Sequence, residues 1–234
     1  MVLAAGLGTR MRPITDRIPK PLVTVAGRTL LDRGLDALAE AGVEKAVVNV
    51  HWLPELIVEH VSDRRAPRIA ISDERDDLLD SAGGIVKALP QLGPDPFFVL
   101  NADTFWIDDR DANLARLAAA WDDRRMDFLL MLASFAQATG HEGGADFRLG
   151  DDGRVAWGKN APDGLIYAGV YIVHPRVFAG VSPGKSSVIP LFRHAIETGR
   201  MFGLAMGGRW ITVGTPAAIP AAEAAIAEAE GGRG

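Results

Sequence analysis

Residues 3–27 read LAAGLGTRMRPITDRIPKPLVTVAG and decide the fold. The apolar stretch 1–5 has the length of a short buried strand and runs directly into a turn that contains Gly6 and Gly8. Arg10 follows this turn. Backbone N–H groups at the end of a strand, with an arginine beside them, suit the binding of a polyphosphate. The alternative for Gly6 and Gly8 is a tight turn that only allows close packing.

The turn differs from two common phosphate-binding motifs. No Gly-Lys-Ser/Thr follows it, so it is not a Walker A loop, and the third glycine of the dinucleotide fingerprint is missing. Its continuation places Lys20 between two prolines, which hold the backbone in an ordered conformation.

Apolar runs and amphipathic stretches alternate over the first 133 residues, which favours an α/β fold with a parallel sheet. Strands are predicted at 46–50, 69–72, 97–100 and 128–133, and helices at 29–41, 54–61 and 112–121. A further helix is expected to end at Leu89, before Pro90.

The pattern changes after residue 134. A hairpin is predicted around Asp151-Asp152-Gly153, with a strand at 165–173 and helices at 188–198 and 216–230. We therefore expect a mixed, partly antiparallel second half that shares one sheet with the first, in a single domain over residues 1–234.

Composition limits the possible functions. The 234 residues carry 25 Lys and Arg against 30 Asp and Glu, a net charge of −5, which gives no reason to expect binding to nucleic acid or to an anionic membrane. Cysteine is absent, which excludes disulfides and thiolate chemistry. The longest apolar run, 128–133, is far too short to span a bilayer, and no secretion signal is evident, so we expect a cytoplasmic protein.

Residues 3–27 resemble the signature of the sugar-1-phosphate nucleotidyltransferases. The shared pattern is Gly-x-Gly-Thr-Arg-Met/Leu-x-Pro-x-Thr, matched at residues 6–15, followed by Pro-Lys-Pro at residues 19–21. The resemblance extends over the whole chain and implies a Rossmann-like, mostly parallel sheet flanked by helices. It also implies a nucleotide-binding half at 1–133 and a sugar-binding half at 134–234. The family joins a sugar 1-phosphate to the α-phosphorus of a nucleoside triphosphate and releases pyrophosphate.

The resemblance implies three catalytic residues. Arg10 would hold the leaving pyrophosphate, with Arg12 as a helper, and Lys20 would bridge the α-phosphate and the sugar phosphate. Asp103 follows the predicted strand 97–100, where open α/β sheets bind ligands, and would hold Mg²⁺. Such groups accelerate phosphoryl transfer by orienting the reactants and neutralising charge. The alternatives are a solvated surface lysine at Lys20 and a helix cap at Asp103.

The second metal position departs from the family. Relatives have Trp-x-Asp-x-Gly-Thr where residues 210–215 read Trp-Ile-Thr-Val-Gly-Thr, so Thr212 replaces an aspartate. A hydroxyl binds Mg²⁺ much more weakly than a carboxylate but can bond to a metal-bound water. Either catalysis is weakened or another carboxylate substitutes.

The remaining site residues also follow from the resemblance. Gly83 and Gly84 have no side chains, so the backbone at the start of their helix could approach the nucleotide base. The alternative is that the two glycines only begin a helix and contact no ligand. The full set expected at the nucleotide is Leu3, Ala4, Ala5, Gly6, Gly8, Thr9, Arg10, Gly83 and Gly84. The set expected at the sugar phosphate is Lys159, Asn160 and Gly169. The five histidines show no metal-ligand spacing, and we predict no zinc site.

Three functions are consistent with these expectations. The first is transfer of UMP from UTP to a sugar 1-phosphate, with N-acetylmuramate 1-phosphate as the expected acceptor, in cell-wall recycling. The second is GDP-sugar synthesis from mannose 1-phosphate. The third is a nucleotide-sugar-binding protein with weakened catalysis, because of Thr212. A monomer or a homodimer is expected in each case.

Overall fold

Helices and strands alternate through the first half of the chain, as the apolar pattern predicts. The computed structural model describes residues 1–159 and 161–232. The α-helices are α1 (Leu30–Glu40), α2 (Pro54–Val61), α3 (Asp80–Leu92), α4 (Asn113–Ala120), α5 (Ile189–Glu197) and α6 (Ala218–Gly231). The strands are β1 (Val2–Leu3), β2 (Thr24–Val25), β3 (Arg28–Thr29), β4 (Lys45–Val50), β5 (Arg68–Asp73), β6 (Phe97–Asn101), β7 (Thr104–Ile107), β8 (Phe128–Ala133), β9 (Ala138–Thr139), β10 (Phe147–Leu149), β11 (Val155–Trp157), β12 (Ile166–Val173), β13 (Met201–Ala205) and β14 (Arg209–Thr212).

The central sheet of the described residues has seven strands in the order β13-β8-β12-β6-β1-β4-β5. Its pairings are parallel except at β12, which runs antiparallel to both β6 and β8. Every residue of β8 is buried, as expected for a continuous apolar strand covered by helices on both faces. Strands β12 and β13 come from the second half of the chain, so both halves contribute to one sheet.

Helix α1 shows how the local sequence specifies an element. The Thr29 side chain accepts a hydrogen bond from the Asp32 backbone N–H and caps the helix start. Four leucines then fall on one face and are buried in the core: Leu30, Leu31, Leu35 and Leu38. Gly42 follows the helix with φ of 78°, a conformation that favours glycine and stops the helix.

The apolar core lies on both faces of the sheet. One cluster includes side chains of α1, α2 and α4, and a second includes side chains of α3 and α5. A third cluster joins Met11 and Val23 to Ile211, Val213 and helix α6. This third cluster anchors the loop that follows β1 against β14, and so it fixes the glycine-rich turn in place.

Two features differ from the sequence prediction. Helix α3 continues through Pro90 to Leu92, so the predicted end at Leu89 is wrong. Pro90 lies in the last turn, where its missing N–H removes one hydrogen bond without breaking the helix. Six strands were not predicted, because they are short and lack a clear alternation of apolar and polar residues: β2, β3, β7, β9, β13 and β14.

Within residues 1–159 and 161–232, no helix combines the length and the apolarity that crossing a bilayer requires.

Candidate active site

A cleft of about 530 Å³ lies at the carboxyl ends of β1, β4, β5 and β6. This is the edge at which open α/β sheets bind ligands. Its walls are formed by Leu3, Ala4, Ala5, Gly6, Gly8, Thr9, Arg10, Lys20, Pro21, Asn49, Glu74, Leu78, Asp80, Ser81, Asn101, Ala102, Asp103, Lys185 and Gly214. The structure therefore brings the glycine-rich turn together with the predicted residues Arg10, Lys20 and Asp103.

The two glycines of the turn are there for different reasons. Gly8 has φ of 62°, and a Cβ on it would lie 2.9 Å from the Thr15 side chain and 3.0 Å from Cβ of Lys20. The Thr15 hydroxyl also donates to the Gly8 carbonyl over 2.8 Å. Gly8 is thus required for close packing of the turn against the following loop. A Cβ on Gly6 would meet no atom within 4 Å, so Gly6 leaves its backbone open to the cleft.

Arg10 is a cation without an internal counterion. It lies in the short helical turn Thr9–Met11, whose Met11 is fully buried. The guanidinium packs beside Gly214, where an added Cβ would lie 3.5 Å from Nη1. Across residues 1–159 and 161–232 it makes no hydrogen bond or ion pair. Arg12, by contrast, pairs with Asp16 at 3.1 Å outside the cleft walls. Arg10 is therefore available to an anionic ligand, and a helper role for Arg12 stays a prediction.

Lys20 and Asp103 form an ion pair in the cleft. The Lys20 ammonium donates to Oδ2 of Asp103 over 2.6 Å, and the two side chains are 11% and 32% exposed. Lys20 begins a short helical turn directly after Pro19, and Asp103 lies two residues beyond the end of β6. The pair joins the loop after β1 to the end of β6 and sets one cation and one carboxylate side by side.

A buried polar pair on the cleft wall was missed by the sequence analysis. Oδ1 of Asn49 accepts the Ala4 N–H over 2.7 Å, and its Nδ2 donates to Oε1 of Glu74 over 2.7 Å. Oε2 of Glu74 accepts the Leu79 N–H over 3.2 Å. Asn49 is 3% and Glu74 is 1% exposed. Buried polar groups are rarely retained unless they are bonded, so an Asn inside the apolar run of β4 was a usable signal.

Gly83 and Gly84 lie within helix α3 and are buried away from the cleft walls. A Cβ on Gly83 would lie 2.2 Å from the Gly184 carbonyl oxygen, and one on Gly84 would lie 2.6 Å from Oε1 of Glu74. Packing therefore requires both glycines. Asp80 and Ser81, at the start of the same helix, line the cleft instead. Contact between the two glycines and a base stays a prediction.

A recess of about 240 Å³ adjoins the cleft and shares Leu3, Ser81 and Asn101 with it. Its other walls are mainly aromatic and come from the second half: Phe147, Trp157, Tyr167, Tyr171 and Phe192, with Asp146, Val188 and Ile189. Phe147 and Trp157 stack with ring centroids 5.1 Å apart. Burial raises the pKa of Tyr167, and the charges of Asp103 and Asp146 act in the same direction, so this phenol is neutral.

The predicted sugar residues are not on these walls. Lys159 is exposed in the turn after β11 and lines neither the cleft nor the recess. Gly169 has φ of 80°, at a register shift between β12 and β8, and a Cβ there would lie 2.4 Å from the Thr104 hydroxyl. Packing accounts for this glycine. Asn160 lies outside the described residues. Contacts of these three with a sugar phosphate stay predictions.

Comparison with known proteins identifies the family. The pattern described as "MobA-like NTP transferase domain" matches residues 1–147. The N-acetylmuramate alpha-1-phosphate uridylyltransferase of Caulobacter vibrioides is 48% identical over 98% of this chain and 97% of its own length. The protein of the same description from Neisseria meningitidis is 37% identical over 96% of each chain. This chain belongs to the MobA-like NTP transferase family. Its close homologues are uridylyltransferases, and the domain is that of a nucleotidyltransferase enzyme.

Solved structures support the fold of this NTP transferase. A glucose-1-phosphate thymidylyltransferase structure from Bacillus anthracis, described as putative in its own name, superposes with a TM-score of 0.79 at 17% identity. It covers 95% of this chain and 92% of the other. The predicted mixed, mostly parallel, Rossmann-like sheet is confirmed.

A metal position at the carboxylate of Asp103 stays a prediction for this NTP transferase. Sugar-phosphate nucleotidyltransferases generally use a divalent metal. The described residues contain no cluster of three or more side chains able to cage one. Mg²⁺ typically takes one or two carboxylates and completes its shell with substrate phosphates and water, so Asp103 in the cleft wall fits this ion.

Thr212 lies next to this position but not on the cleft wall. It pairs with Thr104 across β14 and β7, and the Val213 N–H donates to the Asp103 carbonyl over 3.0 Å. A water-mediated contact from Thr212 to a metal therefore stays a prediction.

Proposed function

We propose that this chain transfers UMP from UTP to N-acetylmuramate 1-phosphate, producing UDP-N-acetylmuramate and pyrophosphate. The observation that carries the proposal is the convergence of Arg10, Lys20 and Asp103 on one cleft beside the open backbone of Gly6. The sugar specificity is supported by the two relatives that match along nearly the whole chain.

The proposed reaction requires no covalent bond to the protein. A phosphate oxygen of the sugar 1-phosphate attacks the α-phosphorus of UTP, the bond from this phosphorus to the bridging oxygen of the β-phosphate breaks, and pyrophosphate leaves with that electron pair. The protein accelerates such a step by holding the two phosphates in line and neutralising their charge.

Arg10 and Lys20 have separate roles in this proposal. Arg10 has no counterion among the described residues and lines the cleft beside Gly214, so it binds the β- and γ-phosphates and the leaving pyrophosphate. Lys20 stands beside Asp103 and binds the α-phosphate and the attacking sugar phosphate. Backbone N–H groups of the glycine-rich turn donate to the phosphate chain.

Asp103 is the residue that would hold Mg²⁺. When bound, the ion supplies positive charge to the phosphate oxygens. Without substrate, the Lys20 ammonium is bonded to this carboxylate over 2.6 Å. In the proposed reaction, Lys20 leaves Asp103 and binds the phosphates once they are present. The ion pair keeps both groups in place in the absence of substrate.

The two halves of the chain divide the substrates in this proposal. Residues 1–133 bind the nucleotide, and residues 134–234 bind the sugar through the aromatic recess, which opens from the cleft at Leu3, Ser81 and Asn101. Ligand pockets of this kind have apolar walls with a few polar groups that fix orientation.

Pyrophosphate release tests the proposal. Purified protein with Mg²⁺ is incubated with UTP or GTP and with N-acetylmuramate 1-phosphate or mannose 1-phosphate. The expected result is release with UTP and N-acetylmuramate 1-phosphate, at least tenfold faster than with any other pair. Faster release with GTP and mannose 1-phosphate would overturn the assignment of base and sugar. No release from any pair, together with a nucleotide-dependent rise in Tm, would show a binding protein that does not catalyse the reaction.

A further inference from the structure

Lys185 is a cation in the cleft wall that the proposed reaction has not used. It comes from the second half of the chain, in the segment between β12 and α5. Its side chain is exposed and has no hydrogen bond or ion pair with any residue in 1–159 or 161–232. An ammonium that faces a ligand cleft without a counterion is available to an anionic group of a ligand.

The backbone on both sides of Lys185 is fixed to the start of helix α3. The Ser186 carbonyl accepts the N–H groups of Ala82 and Gly83 over 2.9 and 3.1 Å, and the Ser186 N–H donates to the Leu79 carbonyl over 2.9 Å. On the other side, the Gly184 carbonyl packs directly against Gly83. Lys185 is therefore held in the cleft wall by bonded neighbours rather than carried on a free loop.

Lys185 lies where the cleft meets the aromatic recess. Ser81 lines both cavities, and its hydroxyl oxygen accepts the Val188 N–H over 3.0 Å. Val188 and Ile189 form part of the recess wall, three and four residues beyond Lys185. The lysine thus adjoins the position that the acceptor sugar takes in the proposed function.

The acceptor sugar carries one negative group that no other residue of the site accounts for. N-acetylmuramate 1-phosphate has its phosphate and, in addition, the carboxylate of a lactyl ether. The phosphate is bound by Lys20 in the proposed function, and Arg10 is bound to the leaving pyrophosphate. Among the described residues of the cleft wall, this leaves the cation of Lys185 for the remaining anion on the substrate.

We propose that Lys185 binds the lactyl carboxylate and sets the preference for N-acetylmuramate over N-acetylglucosamine, which has the same acetamido sugar ring without the lactyl ether. The inference rests on the proposed function, because it takes the acceptor from there. The exposure of the lysine weakens a hydrogen bond between charged groups. We therefore expect an affinity about tenfold higher for the sugar with the lactyl carboxylate than for the sugar without it.

Product binding tests this inference without depending on turnover. The dissociation constants of UDP-N-acetylmuramate and UDP-N-acetylglucosamine are measured by calorimetry for the wild type and for Lys185→Met. The wild type should bind the first about tenfold more tightly. Lys185→Met should bring the two constants within about twofold of each other, by weakening only the first.

Two further variants control this experiment. Lys87 lies on α3 outside the cleft, and its ammonium donates to the Asp73 carbonyl. Lys87→Met should therefore retain the wild-type preference. Lys185→Arg keeps the positive charge and should retain at least half of the wild-type preference. All three variants should have wild-type Tm values, because both lysines are on the surface.

The remaining outcomes separate failure of the inference from failure of the proposed function. Equal weakening of both products by Lys185→Met would show a contact with a shared phosphate, and no change would show that Lys185 does not contact the ligand. If the binding preference depends on Lys185 but UTP and N-acetylmuramate 1-phosphate release no pyrophosphate, the proposed function fails and the inference on recognition stands. If catalysis occurs but the preference for UDP-N-acetylmuramate does not depend on Lys185, only the inference fails.

Discussion

The two sides of the cleft are built in different ways. The first wall, which we define as residues 3–10, Lys20 and residues 101–103, is held together by the Lys20–Asp103 ion pair and the packing of Gly8. The second wall, defined as residues 181–188 with the aromatic recess, presents stacked rings and Lys185, which pairs with no residue in the described part of the chain. In the proposed function, the first wall binds the phosphates of the nucleotide, and the second wall contacts the sugar. The proposal therefore places the chemistry and the selectivity for the sugar on separate parts of the chain.

The largest effect should come from the first wall. Asp103→Asn removes the carboxylate that pairs with Lys20 and that would hold Mg²⁺. We expect kcat/KM to fall by about 10²–10³-fold, as is typical when one group that stabilises transition-state charge is removed. Pyrophosphate release under saturating Mg²⁺ measures the change.

Asp95→Asn is the matched control, because Asp95 is an exposed aspartate before β6 and outside the cleft. It should leave kcat/KM unchanged. A decrease for Asp103→Asn of less than about tenfold would contradict the assignment of catalysis to the first wall, since a positioned metal ligand contributes more than that.

The next effect tests how the second wall is attached. Gly83→Ala places a Cβ 2.2 Å from the Gly184 carbonyl oxygen, so residues 181–188 must move away from α3. We expect a loss of about 1–3 kcal/mol in the free energy of unfolding. For a chain of this size the loss corresponds to a fall in Tm of about 2–12 °C, measurable by calorimetry.

Gly144→Ala serves as the comparison, because a Cβ there meets no atom within 4 Å and its φ is not in the left-handed region. Alanine is the better helix former, so propensity alone would make Gly83→Ala stabilising. Equal Tm values for the two variants would show that the contact between Gly83 and Gly184 does not hold the second wall.

A smaller effect is expected behind the first wall, next to the proposed metal position at Asp103. Thr212 lies opposite Thr104, which directly follows Asp103, so Thr212→Asp adds a second carboxylate beside the first. We expect the Mg²⁺ concentration that gives half-maximal activity to fall several-fold, because affinity for hard cations rises with ligand charge. An unchanged Mg²⁺ dependence would place Thr212 outside the metal site.

The smallest effect concerns the floor of the recess. The hydroxyl of Tyr171 is buried without a hydrogen-bond partner in the described residues, while its ring packs edge-on against Phe128 and Phe192. Tyr171→Phe should change the unfolding free energy by less than about 1 kcal/mol, because no bond is lost. Tyr171→Ala should cost about 3–5 kcal/mol through the cavity it leaves. Chemical denaturation separates the two, and a large loss for Tyr171→Phe would show that the hydroxyl is bonded.

Sequence could predict the first wall because its signals are local. Four residues of this wall lie within fifteen consecutive positions: Gly6, Gly8, Arg10 and Lys20. Asp103 lies two residues beyond the end of a strongly apolar strand. The order of the central strands β1, β4, β5, β6 and β8 and of the helices between them was also predictable from apolar periodicity, since buried parallel strands form continuous apolar runs. The end of α3 was not predictable from the sequence, because Pro90 lies in the last turn, where a helix tolerates proline.

The second wall could not be predicted in the same way, because its parts meet only in three dimensions. The need for glycine at position 83 depends on Gly184, about a hundred residues later, and Lys185 looks in sequence like any exposed loop lysine. Gly169 was expected at the sugar phosphate, and its close packing against Thr104 could not be predicted from the sequence. Asn49 and Glu74 become a pair only when β4 and β5 are adjacent.

The most direct test of the division between the walls is a crystal structure of this chain with UDP-N-acetylmuramate and Mg²⁺. We predict that the diphosphate lies against the glycine-rich turn, within hydrogen-bonding distance of Arg10 or Lys20, with the metal on Asp103. The sugar should lie over the aromatic recess with its carboxylate at Lys185. A diphosphate bound away from residues 6–10, or a sugar ring outside the recess, would contradict this account.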